Sequence, residues 1–177
     1  MERIKVFGVG FHKTATSSLA QVLSILGYSV TGPSAVHDLN IINNVRNMAQ
    51  QLTSEFNAFQ DNPWPLLYRD VDLWCPHSKF ILTIRPVEQW IKSVVGHFGN
   101  ASTPMRQWIY GVGTPVGNEA HNRKVLAYFK DRPEDLLVLR ITDGEGWDKL
   151  CPFLGKDIPS ILFPNINKAK NRKGINV

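Results

Sequence analysis

Hydrophobic positions change their spacing several times along the chain. Residues 5–9 read KVFGV, a β-rich run, and beyond Thr16 the apolar residues Leu19, Val22 and Leu23 recur at helical spacing. The pattern therefore predicts a strand, a tight loop and a helix, and similar alternation continues downstream. Further strands are predicted at 28–31, 56–60, 79–84 and 136–139, and helices at 38–53, 66–74, 87–98, 118–130 and 147–154.

The order of these elements indicates an α/β fold. The run 79–84 (KFILTI) is nearly all apolar, as a strand buried on both faces should be. Alternating strands and helices imply right-handed crossovers and a parallel sheet covered on both sides. We therefore expect a three-layer α/β/α architecture with a central parallel sheet, formed by one domain over all 177 residues. Residues 111–117 (GVGTPVG) are predicted to be a loop.

Composition narrows the class of protein. Apolar residues make up 43% of the chain and charged residues 20%, which is typical of a soluble globular protein. The apolar runs are far shorter than the ~20 residues that a membrane span needs, and no signal-peptide core follows the first methionine. The two cysteines form no disulfide or zinc motif, and the five histidines are scattered. We expect a cytoplasmic protein with no membrane partner and no bound metal.

Charge says little about the body of the domain. The net charge is +5, but four basic side chains lie in the tail 168–177, and without them the charge would be +1. Such a tail is either a solvated chain end or a site for anions. Basic and aromatic residues do not interleave as they do in nucleic-acid stacking platforms, so we expect no nucleic-acid partner.

The loop after the first strand carries the first chemical signal. In parallel sheets, ligands collect at the carboxyl ends of strands. Here the loop GVGFHKTATSS, residues 8–18, leads into a helix N-terminus, where free N–H groups and the helix dipole favour an anion. Lys13 adds positive charge, and Thr14, Thr16 and Ser17 add hydroxyl donors. The composition indicates a phosphate cradle; the alternative is a capped helix start with a solvated lysine.

Two familiar phosphate loops do not fit these residues. The dinucleotide motif GxGxxG would need a glycine where Lys13 stands. A Walker A loop beginning at Gly8 would need glycine at position 13 and lysine at position 14. The loop therefore belongs to neither type.

Arginine follows the strongest predicted strand. A nucleoside triphosphatase usually places aspartate at such a position to hold Mg²⁺. Arg85 stands there instead, and Arg140 follows the strand 136–139. A guanidinium binds phosphate through paired hydrogen bonds and repels a divalent cation. Ser93 lies eight positions beyond Arg85, about two helical turns. The alternative role for Arg85 is an ion pair with Glu88.

These segments resemble one known family. Residues 10–19 (GFHKTATSSL) resemble the 5′-phosphosulfate loop of sulfotransferases that use 3′-phosphoadenosine 5′-phosphosulfate (PAPS), and residues 84–93 (IRPVEQWIKS) resemble their 3′-phosphate motif. The segments 61–65 and 137–142 are also similar to bacterial P-loop sulfotransferase-like proteins. Ala15 replaces a glycine that is common in the family, and residues 171–174 (NRKG) resemble an element that clasps the 3′-phosphate in cytosolic members.

The resemblance implies a P-loop NTPase-like version of the fold and a set of donor-binding residues. PAPS would be the sulfuryl donor, no metal would be required, and the acceptor would be a small molecule with a hydroxyl or amine. The implied donor-binding residues are Gly10, Phe11, His12, Lys13, Thr14, Ala15, Thr16 and Ser17 in the loop, with Arg85 and Ser93 at the 3′-phosphate.

Three residues are expected to act in catalysis. Lys13 would stabilise the departing phosphate. Asp61 is the first choice for the general base, because it closes the third predicted strand on the ligand side, and His12 is the second. The alternative for Asp61 is an N-cap or Asx turn before Pro63. Trp64 is compatible with either the core or an acceptor pocket.

Two other functions remain open at this level. One is a PAP-binding relative that has lost its acceptor chemistry, where PAP is the desulfated nucleotide product. The other is a P-loop nucleotide kinase with an aberrant loop. The acceptor and the oligomeric state are not readable from the residues.

Overall fold

A computed structural model describes residues 4–99, 101–110 and 117–164, which form a five-stranded, all-parallel sheet. The spatial order of the strands is β2-β3-β1-β4-β5. The strands are β1 (Val6–Gly8), β2 (Val30–Thr31), β3 (Ala58–Phe59), β4 (Lys79–Thr83) and β5 (Leu136–Leu139). The parallel sheet predicted from the alternating pattern is confirmed.

Helices cover both faces of this sheet. They are α1 (Thr16–Ile25), α2 (Ile41–Glu55), α3 (Trp64–Trp74), α4 (Val87–Phe98), α5 (Pro104–Tyr110), α6 (Asn118–Tyr128) and α7 (Trp147–Leu154). Single 3₁₀ turns flank β5 at Pro133–Asp135 and Ile141–Asp143. No helix in the described ranges has the length and apolar content needed to cross a membrane.

Side chains that alternate along the strands build two separate cores. Phe7 of β1 stacks on Phe59 of β3 with ring centroids 4.6 Å apart, and both pack with Trp64 of α3. The neighbouring residue Val6 points to the opposite face and packs with Leu19 of α1. Successive strand residues face opposite sides, so the short strands supply apolar groups to both cores. The three-layer architecture is thus confirmed.

Most predicted elements are present, with shifted ends. The strands predicted at 28–31 and 56–60 shorten to two residues each, and α3 begins at Trp64 rather than at residue 66. Helix α5 was not predicted, although Met105, Trp108 and Ile109 have helical spacing. Residues 111–116 of the predicted loop and the tail 168–177, with its NRKG element, lie outside the described residues.

The strand order decides which loops meet. Strand β1 pairs with β3 on one side and with β4 on the other. Because all three strands are parallel, their carboxyl ends lie at one edge of the sheet. The segments after β1, β3 and β4 are therefore neighbours, although they are tens of residues apart in the chain.

The loop after β1 lies directly against the end of β4. Val9 N donates to Ile81 O at 2.8 Å, and the hydroxyls of Thr14 and Thr83 are hydrogen-bonded at 2.7 Å. A Cβ on Gly10 would overlap the hydroxyl and carbonyl oxygens of Thr83 and would lie 2.9 Å from Thr83 N. Gly10 is therefore required by the close approach of two backbones.

We expect Gly10→Ala to lower the free energy of unfolding by about 1–3 kcal/mol, because Thr83 belongs to the central sheet and cannot move away. Urea denaturation measures this loss. Gly96→Ala is the matched control: Gly96 lies within α4 and a Cβ there meets nothing within 4 Å. That control should gain about 0.5–1 kcal/mol. An equal effect of both substitutions would contradict the packing argument.

Candidate active site

A cavity of about 990 Å³ opens at the carboxyl edge of the sheet. Its volume is at the upper end of the ~300–1,000 Å³ typical of small-molecule sites. The segments after β1, β3 and β4 line it together with α4 and α5. Its polar lining includes His12, Lys13, Thr16, Ser17, Asp61, Asn62, Arg85, Gln89, Lys92, Ser93, His97, Thr103 and Arg106.

Most of the residues predicted to form the site line this one cavity. From the first loop these are His12, Lys13, Ala15, Thr16 and Ser17, and from the later segments they are Asp61, Arg85 and Ser93. Residues separated by up to 81 positions are thus brought together by the strand order.

Three predicted loop residues do not line the cavity. Gly10 packs on Thr83. Phe11 is buried and stacks on His121 with ring centroids 4.2 Å apart. The buried Thr14 hydroxyl donates to Phe11 O at 2.5 Å. The side chains of these residues hold the loop in place, so any role in donor binding would fall to their backbone atoms.

The loop backbone exposes the N-terminus of α1 to the cavity. Lys13 and Ala15 have φ values of 66° and 76°, and Ala15 is the N-cap residue of α1. No side chain caps this helix, while Ala15, Thr16 and Ser17 line the cavity. First-turn N–H groups and the helix dipole therefore favour an anion here. The left-handed φ of Ala15 is a conformation that glycine adopts with less strain than alanine.

Asp61, which lies after β3, is hydrogen-bonded to the first residue of α1 and to its own neighbour in the chain. Its Oδ2 accepts a hydrogen bond from Thr16 Oγ1 at 2.7 Å, and its Oδ1 accepts one from Asn62 N at 2.7 Å. Burial raises the pKa of this carboxyl, although both hydrogen bonds oppose the rise. The N-cap of α3 is Pro63 rather than Asp61. Pro63 has no N–H group to complete an Asx turn.

His12 is held on both sides of its ring. Nδ1 is 2.9 Å from the Asn62 amide nitrogen, and Nε2 is hydrogen-bonded to the Tyr110 hydroxyl. The His12 carbonyl also accepts from Trp90 Nε1 at 2.8 Å. Burial, helped by the charges of Arg106 and Lys13, lowers the pKa of His12 to about 4. The imidazole is therefore neutral near pH 7 and joins the first loop to the segment after β3 and to α5, while the His12 carbonyl joins the loop to α4.

Arg85 has unused hydrogen-bonding capacity. Its Nη1 donates to Lys13 O at 3.3 Å, while its buried Nε has no partner among the described residues. The ion pair with Glu88 is not formed. Arg140, which follows β5, instead lies 3.8 Å from Glu145 and does not line the large cavity. A buried donor without a partner costs stability, and an anionic ligand would satisfy it.

Backbone strain is concentrated around this cavity. In the described ranges five non-glycine residues have positive φ, and three of them, Lys13, Ala15 and Asp61, line the cavity. Such conformations cost about 1–3 kcal/mol each and cluster at functional sites.

Trp64 is fully buried in the core beside Phe7 and does not line the cavity. Of its two predicted locations, the structure therefore shows the core.

Several residues in or beside the cavity were not identified from the sequence as parts of the site. Asn62 and Tyr110 hold His12, and Phe98 and Arg106 form the wall contributed by the end of α4 and by α5. Recognition of the helical spacing in α5 would have pointed to Arg106 and Tyr110. Their proximity to His12 depends on how α5 packs.

The fold and the cavity together define an α/β/α protein of P-loop-like architecture with a cavity at the sheet edge that is lined by several cations. The particular family follows from comparison: the chain belongs to the sulfotransferase domain family, whose profile matches residues 5–118 and 116–172. A search of curated proteins finds no match. Family membership confirms the resemblance to sulfotransferases and supports sulfuryl transfer as the reaction class.

We expect acid to destabilise the protein through His12. Its folded pKa of about 4 lies below the ordinary value of 6.5, so between these values the unfolded chain binds more protons. Stability should fall as the pH falls through this window, by up to roughly 3 kcal/mol from this residue. Urea denaturation from pH 7.5 to 4 measures the slope.

The control is the variant His12→Gln. Its free energy of unfolding should fall less steeply with falling pH over the same range, because glutamine does not titrate. His121 is also buried with a lowered pKa, but it remains in both proteins and cancels in the difference. Identical slopes would mean that His12 is solvated in the folded protein.

Proposed function

We propose that this protein transfers a sulfuryl group from PAPS to a hydroxyl or amine of a small-molecule acceptor. The observation that carries the proposal is that Lys13, Asp61, Arg85 and Ser93 line one cavity. Together these residues would serve three tasks: Lys13 at the 5′-phosphosulfate, Arg85 and Ser93 at the 3′-phosphate, and Asp61 as the general base. The sulfotransferase family match supports the same reaction class.

The donor would lie between the first loop and α4. Lys13 and the uncapped N-terminus of α1 suit the 5′-phosphosulfate. The buried Arg85 Nε, which has no partner in the described ranges, and Ser93 in the second turn of α4 suit the 3′-phosphate. A cavity of about 990 Å³ leaves room for an acceptor beside the nucleotide.

In the transfer step, the acceptor oxygen or nitrogen forms a bond to sulfur while the bond between sulfur and the bridging 5′-phosphate oxygen breaks. The acceptor proton passes to a general base, and PAP leaves with the electrons of the broken bond. Lys13 and the loop N–H groups stabilise the charge that grows on the leaving phosphate. Such stabilisation acts mainly in the transition state and therefore appears in kcat.

Asp61 is better suited than His12 to be the base. Its carboxylate lines the cavity, burial raises its pKa, and each oxygen keeps a lone pair beyond the bonds to Thr16 and Asn62. Both nitrogens of His12 already have partners. We therefore assign His12 to positioning, since it fixes Asn62 next to Asp61.

We expect PAP to stabilise the protein without Mg²⁺, and to do so more than AMP, because PAP alone carries the 3′-phosphate. Arg85→Ala should weaken PAP by about 1.5–3 kcal/mol and leave AMP nearly unchanged. Thermal shift with PAP, AMP, ADP and ATP, with and without Mg²⁺, measures these differences. Arg140→Ala is the matched control, because it also removes an arginine that follows a strand.

Three outcomes would count against the donor assignment. Equal stabilisation by PAP and AMP would contradict a 3′-phosphate site. A uniform loss for both nucleotides in Arg85→Ala would make this residue structural. Preference for ATP with Mg²⁺ would favour the nucleotide kinase.

We expect Asp61→Asn to reduce turnover roughly 10²–10⁴-fold while PAP binding persists, because the amide keeps the size of the side chain but accepts no proton. The assay uses labelled PAPS and a panel of hydroxyl and amine compounds. Asp131→Asn is the control, since the Asp131 side chain is 85% exposed. Near-normal turnover in Asp61→Asn would place the base elsewhere. Tight PAP binding with no acceptor turned over would instead favour the PAP-binding module.

A further inference from the structure

Arg106 lies in the cavity wall beyond the donor residues. It belongs to α5, and its Cζ is 4.2 Å from the centre of the Phe98 ring at the end of α4. Its Nε is 3.5 Å from Thr103 Oγ1. Stacking on an aromatic face holds a guanidinium plane while its edge remains available for hydrogen bonds. Arg106 is therefore a positioned cation in the wall of the cavity.

This cation has no acidic counterpart in the described part of the chain. Arg46, Arg132 and Arg140 each form a salt bridge with an aspartate or glutamate, whereas Arg106 forms none with a described residue. Asp61 is the one carboxylate among the described lining residues, and it is hydrogen-bonded to Thr16. A half-buried guanidinium without a counterion favours an anionic ligand.

Arg106 lies on the side of the cavity where the base stands. Tyr110, one helical turn further along α5, is hydrogen-bonded to His12, and His12 is hydrogen-bonded to Asn62, the neighbour of Asp61. The proposed 3′-phosphate position lies elsewhere along α4, at Ser93. Phe98, on which Arg106 stacks, is five residues beyond Ser93, about 7.5 Å along the helix. The Arg106 charge is thus set apart from the proposed 3′-phosphate position.

We propose that the acceptor is itself an anion, a hydroxyl or amine compound that also carries a carboxylate or a phosphate monoester, and that Arg106 binds this group. The inference rests on the proposed function, because it assigns the remaining space in the cavity to an acceptor. An anionic group held by Arg106 would orient the acceptor hydroxyl or amine toward Asp61. Neutral analogues would lose this contact and the orientation with it.

The experiment measures binding to protein saturated with PAP, so that the loop and Arg85 are already occupied. Hydroxy acids such as 4-hydroxyphenylacetate are compared with their methyl esters, and hydroxyalkyl phosphates with the corresponding diols, by thermal shift and calorimetry. The proteins are wild type, Arg106→Gln and Arg106→Lys. Arg123→Gln is the control, because Arg123 is exposed and does not line the cavity.

We expect wild type to bind at least one class of anion about tenfold or more tightly than its neutral partner, as a charge-assisted contact implies. Arg106→Gln should abolish this preference, Arg106→Lys should keep part of it, and both should bind PAP like wild type. A preference among the hydroxy acids would identify the bound group as a carboxylate, and a preference among the hydroxyalkyl phosphates would identify it as a phosphate.

The proposal is overturned if every neutral compound binds as well as its anion, or if the preference survives in Arg106→Gln. It is also overturned if Arg106→Gln loses PAP as Arg85→Ala does, since Arg106 would then belong to the donor site. If the Arg106 variants do not fold, the wild-type comparison of anions with neutral compounds decides. Absence of PAP binding would refute the proposed function alone, and the same comparison without PAP would then test the anion site.

Discussion

The site depends on one contact, the close approach of the first loop to the end of β4. Gly10 lies against the Thr83 backbone, and the hydroxyls of Thr14 and Thr83 are hydrogen-bonded at 2.7 Å. This contact places the loop beside the segment that begins with Arg85, whose guanidinium then reaches the Lys13 carbonyl. Without it, the N-terminus of α1 and the arginine after β4 would not face the same space. The positions of the charged groups in the cavity therefore depend on this packing contact.

The electrostatics of the cavity are one-sided among the described residues. Lys13, Arg85, Lys92 and Arg106 line it, and Asp61 is the one carboxylate. Like charges gathered in this way destabilise an empty site, as do the left-handed backbones of Lys13 and Ala15. Anionic ligands relieve the repulsion. Under the proposed function, the features that cost folding stability would therefore contribute to the binding of an anionic donor.

Local pattern was sufficient for much of the fold. The period of 3.6 located α1 and α4, the nearly continuous apolar run located β4, and the alternation of elements predicted a three-layer fold with a central parallel sheet. It was insufficient for α5, a seven-residue helix whose spacing is too short to stand out. The resemblance to sulfotransferases also implied donor-binding roles for Phe11 and Thr14, whose buried side chains hold the loop. Their hydroxyl or ring chemistry is visible in the sequence, but the direction in which each side chain points is not.

The sequence by itself determined the class of fold, the lysine and hydroxyl groups of the first loop, and the arginine after β4, because these depend on residue type and local spacing. Tertiary structure decided which distant residues meet. The order β2-β3-β1-β4-β5 brings Asp61 to Thr16 and Arg85 to Lys13, and the packing of α5 brings Tyr110 to His12. The physical reason is that strand order and burial depend on contacts summed over the whole chain, which no local window contains.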